Sequence, residues 1–384
     1  MKQYNFPTIM LHGEGALAEF AKRLGQTSIK KILLVTDKTL VKIGLAQTVT
    51  ELIEAQNIQT VVFDETHPNP IEEDVEKGAR IFTDSACDAV VALGGGSPMD
   101  AAKVIMIAAT HPGPLDQYDD AIGGDRLIDG NKLPALYAIT TTAGTGSEVG
   151  RSGVITMRST NNKTIFFHPQ LLPKIAVLDP ELTKNLPPFI TAATGVDAFT
   201  HCLEAYFAKG EHPMADGIAQ EGIRLVLGHL SEATHNGSNL NARNQMLIAA
   251  SMGATAFQKG LGMIHSLAHP LSSECGLHHG LANALVLPAC VEFLEKSNLS
   301  QEQKQRINRV QNLFKEAGLD QSTLSLSCRA FIESLGIQMG LKNHGVSEDK
   351  INLIGEKAFK DVCHQSNMIP VDQKILTQCL RASL

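Results

Sequence analysis

Asp197 and His201 are four residues apart in TAATGVDAFTHCLEAY, a segment whose apolar residues recur with a helical period. Residues at this spacing project from one face of a helix, about one turn from each other. A carboxylate and an imidazole placed in this way can bind a metal ion. An ordinary carboxylate–imidazole contact gives the same spacing, so the pair alone leaves both interpretations open.

A histidine cluster follows further along the chain. Four of the 14 histidines lie close together, namely His265, His269, His278 and His279. The first two share a helical face, and we expect Pro270 and Gly276 to break that helix, which lets His278 or His279 fold back toward it. Each histidine alone could be a helix-end or core residue, but the clustering favours a common role.

Together these residues have the composition of a metal site. One carboxylate and several imidazoles, without a thiolate, suit Fe(II), Zn(II), Mn(II) or Co(II) better than copper or calcium. The sequence therefore predicts one metal ion bound by Asp197 and by histidines drawn from His201, His265 and His279.

A glycine-rich turn, GGGSPMD over residues 94–100, follows a strand-like run and begins a helical segment. We expect Ser97 to cap that helix, Pro98 to occupy its first position and Asp100 to return a hydrogen bond to the cap. The glycines allow close backbone approach, and a helix N-terminus offers N–H groups to a pyrophosphate. A capped helix that binds no ligand is the alternative.

A second turn, TTTAGTGSE over residues 140–148, concentrates hydroxyl groups that suit a nucleotide's phosphate or ribose. Neither turn has the G-x-G-x-x-G pattern of ordinary dinucleotide-binding folds. Asp37 ends the first strong strand, where its carboxylate can bind a ribose and repel a 2′-phosphate. Capping of the next helix is an equally good explanation of Asp37.

These candidate residues lie in two halves of the chain that differ in their pattern of apolar residues. Short apolar runs alternate with amphipathic segments before about residue 185, which indicates βαβ units and a parallel sheet. The later half has helical periodicity throughout. We predict an α/β domain with a parallel Rossmann-like sheet over residues 1–185 and an all-α helical domain over residues 186–384.

The composition excludes several classes of protein. At 384 residues the chain exceeds the usual limit for one core, and 43% hydrophobic and 19% charged residues are typical of globular enzymes. A net charge of -7 without a basic stripe argues against a nucleic-acid partner. The seven cysteines include no CxxC pair, and neither a signal peptide nor a membrane segment is evident, so we expect a cytoplasmic protein without a membrane partner.

With these residues in place, the chain resembles the iron-containing (group III or class IV) alcohol dehydrogenases, a family that includes lactaldehyde reductase and 1,3-propanediol dehydrogenase. The resemblance covers nearly the whole chain. It depends on GGGSPMD, TTAGTGSEV, LDPELT, GVDAFTHCLEAY and GMIHSLAHPL followed by HG, which occur in the family's order.

The resemblance implies specific site residues. The metal ligands correspond to Asp197, His201, His265 and His279, which leaves His278 as a neighbour. His269 and His265 are the implied catalytic residues, with His269 as the candidate proton relay. The implied cofactor contacts are Asp37, Asn69, Gly95, Gly96, Ser97, Asp100, Thr141, Thr142, Thr145, Val149 and Lys163.

The resemblance also implies a function: oxidation of a primary alcohol or diol, or the reverse reduction of an aldehyde, by hydride transfer to or from a nicotinamide. An acidic residue at Asp37 accompanies NAD rather than NADP, and iron is the usual metal, with zinc as the alternative. The fold would be that of dehydroquinate synthase, with the active site in the cleft between the domains and a homodimer as the assembly.

Several alternative functions are compatible with the sequence. A glycerol dehydrogenase or a 4-hydroxy-acid dehydrogenase would share the fold, as would a lyase that uses NAD transiently, and a metal-dependent hydrolase is the alternative from another class. Arg151 departs from the family pattern, since many relatives have a neutral residue there. Its guanidinium could bind a substrate carboxylate, or it could face solvent or a salt-bridge partner.

Overall fold

The computed structural model describes residue 6, residues 8–160 and residues 162–384. The N-terminal residues on which the cytoplasmic prediction depends therefore lie partly outside the described residues. The chain divides into two compact units. The first comprises the chain up to Thr142 together with Gly146–Thr183, and the second comprises Ala143–Thr145 and Lys184–Leu384. In the described part of the chain, no helix is both long and apolar enough to span a membrane.

The first unit is an α/β structure, as predicted. Its strands are β1 (Ile9–His12), β2 (Lys31–Val35), β3 (Gln59–Phe63), β4 (Ala89–Gly94), β5 (Ala135–Thr140), β6 (Ser152–Thr156), β7 (Lys163–Phe167) and β8 (Ile175–Leu178). Its helices are α1 (Ala16–Gly25), α2 (Lys38–Lys42), α3 (Leu45–Glu54), α4 (Glu72–Asp84) and α5 (Gly96–Thr110). Six strands form one parallel sheet in the order β1-β8-β5-β4-β2-β3, and β6 pairs with β7 in an antiparallel hairpin.

The central strands are apolar on both faces, which is what a parallel sheet covered by helices requires. In β2, Leu33 and Val35 belong to one core cluster, while Ile32 and Leu34 belong to another. All four side chains are fully buried. A hydrophobic layer therefore packs against each face of the sheet. This packing holds the strands, and with them the strand ends, in place.

The strand order reverses beside β2, because β3 lies on one side of it and β4 on the other. Ligands of open α/β sheets bind at the carboxyl ends of strands near such a reversal. Asp37 follows β2, the glycine-rich turn follows β4, and Thr141 follows β5. The topology therefore brings these predicted cofactor residues to one edge of the sheet.

The second unit is helical, as predicted. Its helices are α6 (Pro188–Phe207), α7 (Pro213–His235), α8 (Leu240–Ala256), α9 (Met263–Cys275), α10 (His279–Lys296), α11 (Gln301–Glu316), α12 (Leu324–Ser334), α13 (Ile351–Lys360) and α14 (Gln373–Ala382). Helix α6 is buried along almost its entire length and packs against α7, α8 and α10. It is the central helix of this unit.

One local prediction was wrong. Pro270 does not break the helix, since α9 continues through it to Cys275. Proline removes a backbone hydrogen bond, but Leu267, Pro270 and Leu271 are all buried, and their packing offsets that loss. Gly276 does end the helix, with a left-handed φ of 68° that suits glycine.

Candidate metal and cofactor sites

The predicted metal ligands converge around Asp197 in the second unit. The Asp197 Oδ1 atom is 3.8 Å from His201 Nε2, 3.7 Å from His265 Nε2 and 3.5 Å from His279 Nε2. Ligand atoms of Asp197, His265 and His279 all lie within 4.8 Å of one another. The His201 ring stacks on that of His265, with centroids 4.6 Å apart.

Three helices position these side chains. Asp197 and His201 lie one turn apart on α6, His265 is near the start of α9, and His279 is the first residue of α10. Glycine permits the close packing that this arrangement needs. A Cβ atom at Gly280 would lie only 2.1 Å from the Ala193 carbonyl oxygen of α6, and one at Gly253 of α8 would lie 2.9 Å from His201 Cβ.

The electrostatics of the cluster fit a cation. Burial opposes ionisation of Asp197, yet the neighbouring imidazoles hold its pKa well below the usual range. Burial lowers the pKa of His201 to about 4, which keeps that ring neutral and able to act as a ligand. Burial also opposes charge on His265, but its hydrogen bonds to Asp197 and Glu204 raise its pKa to about 9. The carboxylate of Asp197 with the imidazoles of His265 and His279, and with His201 Nε2 3.8 Å from the same carboxylate but outside the group of ligand atoms within 4.8 Å of one another, suits Fe(II) or Zn(II).

Two further residues contact the cluster that sequence reasoning missed. The Glu204 carboxylate lies 2.6 Å from His265 Nδ1, and the Asn283 amide nitrogen lies 2.7 Å from Asp197 Oδ1. The same Asn283 nitrogen is 3.4 Å from His265 Nε2 and from His279 Nε2. Asn283 Oδ1 is buried and has no hydrogen-bond partner among the described residues.

His269, the predicted proton relay, lies beside the cluster. Its ring stacks on that of His279 with centroids 5.3 Å apart, and its side chain is 34% exposed. Its Nδ1 atom is 2.8 Å from the Asp361 carboxylate, which also accepts hydrogen bonds from Ser266 Oγ and the Cys363 backbone N–H. Although burial of Asp361 acts in the opposite direction, the bond to His269 lowers the pKa of that carboxyl overall. The pairing of His269 with Asp361 was also missed from the sequence.

In the first unit, Asp37 is the N-cap of α2. Its Oδ1 atom accepts hydrogen bonds from the backbone N–H groups of Thr39 and Leu40, at 2.8 and 3.0 Å. Capping, the alternative explanation of this residue, is therefore present. It uses one carboxylate oxygen and leaves the other for a ribose hydroxyl, so the two roles are compatible.

The glycine-rich turn differs in detail from the prediction. Helix α5 begins at Gly96 with Gly95 as its N-cap, so Ser97 lies inside the first turn and Pro98 is not at the first helical position. Gly94 has a left-handed φ of 147°, which starts the helix earlier than a serine cap would allow. A glycine cap has no side chain to accept from the first N–H groups, which suits an anion. Gly95 also needs space, because a Cβ there would lie 3.0 Å from Thr142 Oγ1.

Asp100 also differs from the prediction, because its side chain bonds to the second turn instead of to the cap of α5. Its Oδ1 atom accepts a hydrogen bond of 2.9 Å from Ser147 Oγ, in the second turn. The buried Lys103 ammonium donates to Ser147 O, Ser147 Oγ and Ser152 O, each at 2.8 Å. Burial lowers the pKa of Lys103 to about 8, against the opposing charges of Asp100 and Glu148. The hydrogen bond between Ser147 and Asp100 thus connects the two glycine-rich turns, and Lys103 ties α5 to the second turn.

The other predicted cofactor residues are distributed around this network. Asn69 has a left-handed φ of 58°, and its Oδ1 accepts a hydrogen bond of 2.8 Å from Lys163 Nζ. Thr141 and Val149 are buried. Thr145 belongs to the short segment that clusters with the second unit. Their roles as cofactor contacts stay predictions.

Arg151 is half-buried at the start of the β6–β7 hairpin. Its guanidinium carbon lies 5.4 Å from the centre of the Phe167 ring. It forms no ion pair with the acidic side chains of the described residues. Among the described residues, a cation–π contact with Phe167 is therefore present in place of a salt bridge.

Comparison with known proteins agrees with this geometry. Residues 7–180 match the iron-containing alcohol dehydrogenase family, and residues 191–384 match the C-terminal part of the Fe-containing alcohol dehydrogenase family. The chain is 41% identical over 361 residues to a 4-hydroxybutyrate dehydrogenase of Cupriavidus necator, covering 92% of each chain.

Two further similarities cover the full length. The chain is 34% identical over 391 residues to an NAD-dependent methanol dehydrogenase of Bacillus methanolicus, covering 100% of both. It superposes on a crystal structure of 1,3-propanediol oxidoreductase with a TM-score of 0.92 and 34% identity, again covering 100% of both chains. The chain therefore belongs to the iron-containing alcohol dehydrogenase family.

Proposed function

We propose that this chain is an NAD-dependent, iron-dependent alcohol dehydrogenase that interconverts a primary alcohol or diol and its aldehyde. The convergence of the Asp197 carboxylate with His201, His265 and His279 is the observation that supports this most. Zinc remains the alternative metal, because the donor set suits both ions. The NAD-dependent relative supports the cofactor, and it is consistent with the carboxylate of Asp37, which would repel a 2′-phosphate.

The chemistry follows from these residues. When bound, the metal supplies positive charge that stabilises a developing alkoxide oxygen, and NAD supplies the hydride acceptor. The N–H groups at the start of α5, which no side chain caps, would hold the pyrophosphate, and Lys103 donates a hydrogen bond to the second turn. Domain limits at 1–185 and 186–384, and an active site in the cleft between the domains, stay predictions.

We propose His269 as the proton relay. Asp361 accepts the Nδ1 proton of this ring, so the proton that it exchanges is at Nε2. His269→Ala should lower turnover and change its pH dependence while the metal stays bound. His278→Ala is the matched control, since His278 is the residue just before α10 and its side chain makes no hydrogen bond to the start of that helix. Equal pH profiles for His269→Ala and the wild type, with equal metal content, would refute the relay.

The decisive test of the main proposal is a substrate screen with NAD and NADP on protein reconstituted anaerobically with iron or zinc. We expect NADH to form with primary alcohols or diols only when metal is present. A hydrolase or lyase would leave NADH absorbance unchanged with every alcohol and aldehyde. That result, on protein of full metal content, would refute a dehydrogenase.

A 4-hydroxy-acid dehydrogenase is the second candidate function. It is favoured by the similarity to the 4-hydroxybutyrate dehydrogenase and by Arg151, whose charge has no acidic partner in the described part of the chain. Arg151→Met should then lower kcat/KM for 4-hydroxybutyrate more than for 1,4-butanediol, which lacks the carboxylate. Arg158→Met is the control, because Arg158 is occupied by Glu73 and Glu76. Equal losses on both substrates would assign Arg151 a structural role.

We further propose a homodimer in the cytoplasm. Strand β1 is at one end of the large sheet and has no neighbour on its other side among the described residues. Its Ile9 and Met10 side chains are 54% and 42% exposed. An apolar edge strand of this kind is a ready pairing surface. Light scattering that gives the mass of a single chain would contradict the dimer.

A further inference from the structure

A buried carboxylate, that of Glu204, connects two of the helices that carry the metal ligands. Glu204 is on α6 and is only 4% exposed. Its Oε1 atom accepts a hydrogen bond of 2.6 Å from the backbone N–H of Ile264, at the start of α9. Its Oε2 atom lies 2.6 Å from His265 Nδ1 and 3.4 Å from the His265 backbone nitrogen. Each oxygen is therefore occupied by a different donor.

This arrangement decides which nitrogen of His265 has the proton. An ionised carboxylate only accepts hydrogen bonds, so the Nδ1 atom beside it must donate. The neutral ring then has an unprotonated Nε2, and that atom faces Asp197 Oδ1 at 3.7 Å. A carboxylate on the far nitrogen of a metal-binding histidine fixes both its tautomer and its orientation.

Gly262 makes the contact sterically possible. It is the N-cap of α9, immediately before the helix whose first N–H groups Glu204 binds. A Cβ atom at this position would lie 2.6 Å from Glu204 Oε1 and 2.9 Å from Asn367 Oδ1. Both distances are too short for a side chain, so a residue other than glycine must displace Glu204, Asn367 or the start of α9.

We propose that Glu204 is the positioning residue of the metal site, and that Gly262 is required because it leaves room for this carboxylate. The inference deepens the proposed function, since it assumes that a metal binds at Asp197. Glu204 acts on the metal through His265 and is not itself a ligand. Gly262 acts one step further away, through Glu204.

Glu204→Gln tests the first part, because glutamine has nearly the same size but only one acceptor oxygen. Whichever way its amide is turned, its N–H₂ group faces either the Ile264 N–H or the His265 Nδ1 proton. We expect the ring to move its proton to Nε2, which removes a metal ligand. Co(II) and Zn(II) affinity of the full-length protein, measured by chelator competition, should fall by about 10–100-fold.

The histidine tautomer distinguishes positioning from a general loss of stability. Nitrogen NMR of the metal-free protein, recorded above the His265 pKa of about 9 so that the ring is neutral, should show an Nδ1-protonated His265 in the wild type and an Nε2-protonated ring in Glu204→Gln. An unchanged tautomer would overturn the inference, even if affinity falls, because the effect would then be structural. Unchanged affinity would overturn it too. A wild-type chain that binds neither metal would instead refute the proposed function.

Gly262→Ala provides an independent test if Glu204→Gln does not fold. It should weaken Co(II) binding by at least about tenfold, although it changes no ligand and adds one methyl group. Gly228→Ala is the matched control, because a Cβ at that helical position meets nothing within 4 Å. Equal Co(II) affinity in Gly262→Ala and Gly228→Ala would overturn the role assigned to Gly262.

Discussion

Gly280 is the position where one methyl group should disturb the metal site most. It follows His279 in the first turn of α10, against the backbone of α6. An added Cβ would lie 2.1 Å from the Ala193 carbonyl oxygen and 3.2 Å from Asp197 Cβ. Because the closest obstacle is backbone rather than a flexible side chain, Gly280→Ala must separate the two helices locally, by about 1 Å, before the contact is tolerable.

That displacement is large on the scale of metal coordination. Ligand distances at a working site hold to about ±0.2 Å. His279 Nε2 is now 3.5 Å from Asp197 Oδ1, and the two residues belong to the helices that would separate. We therefore expect metal affinity to fall by at least about tenfold, the smallest effect of losing a partner that orients a ligand. Overpacking should also lower the free energy of unfolding by about 1–3 kcal/mol.

The assay compares Gly280→Ala with Gly217→Ala by chelator competition for Co(II) and by urea denaturation. Gly217 is an exposed position in α7 where a Cβ meets nothing within 4 Å. Its replacement should raise the free energy of unfolding by about 0.5–1 kcal/mol and leave metal affinity unchanged. The same chemical change should thus have opposite effects on stability. If Gly280→Ala binds Co(II) as tightly as Gly217→Ala does, the packing argument is wrong.

Three further predictions concern charge. Asp37→Asn should keep the cap on α2, since asparagine caps as well as aspartate. It should lower the ratio of the KM for NADP to the KM for NAD, because the carboxylate that repels a 2′-phosphate is gone. An unchanged ratio would contradict the role of Asp37 in cofactor choice. Lys103→Met leaves Asp100 and Glu148 buried without this cation, so urea denaturation should show a free energy of unfolding lower by about 3–5 kcal/mol. Fluorescence titration should also show weaker NADH binding. A variant as stable as the wild type would contradict the role of Lys103 in the buried network. Removing metal with a chelator should lower the melting temperature, because an ion at 100 times its Kd adds about 2.7 kcal/mol to the free energy of unfolding. A melting temperature that does not change when metal is added would count against the site.

Most of the fold could be predicted because its signals are local. The apolar runs that form β2 and β4 and the helical periodicity of α6 and α10 are properties of consecutive residues, so they can be recognised without knowledge of packing. Two details failed for the opposite reason. Pro270 remains helical because of its buried neighbours, and the start of α5 is set by Gly94 and Gly95 rather than by the capping preference of Ser97. At Pro270 tertiary packing outweighed a local preference, whereas at the start of α5 the backbone conformation of the glycines outweighed the capping preference of serine.

The residues around the ligands divide in the same way. Glu204 lies seven residues after Asp197, and Asn283 lies four after His279, so helical spacing alone places each on the ligand-bearing face of its helix. Both are polar residues on those faces, so the sequence alone is enough to identify them as neighbours of the ligands. Asp361 could not, because it meets His269 across 92 residues of chain. The sequence can thus predict the neighbours of a metal ligand that lie on the same helix face. Neighbours that come from another helix can be identified only once the fold is known.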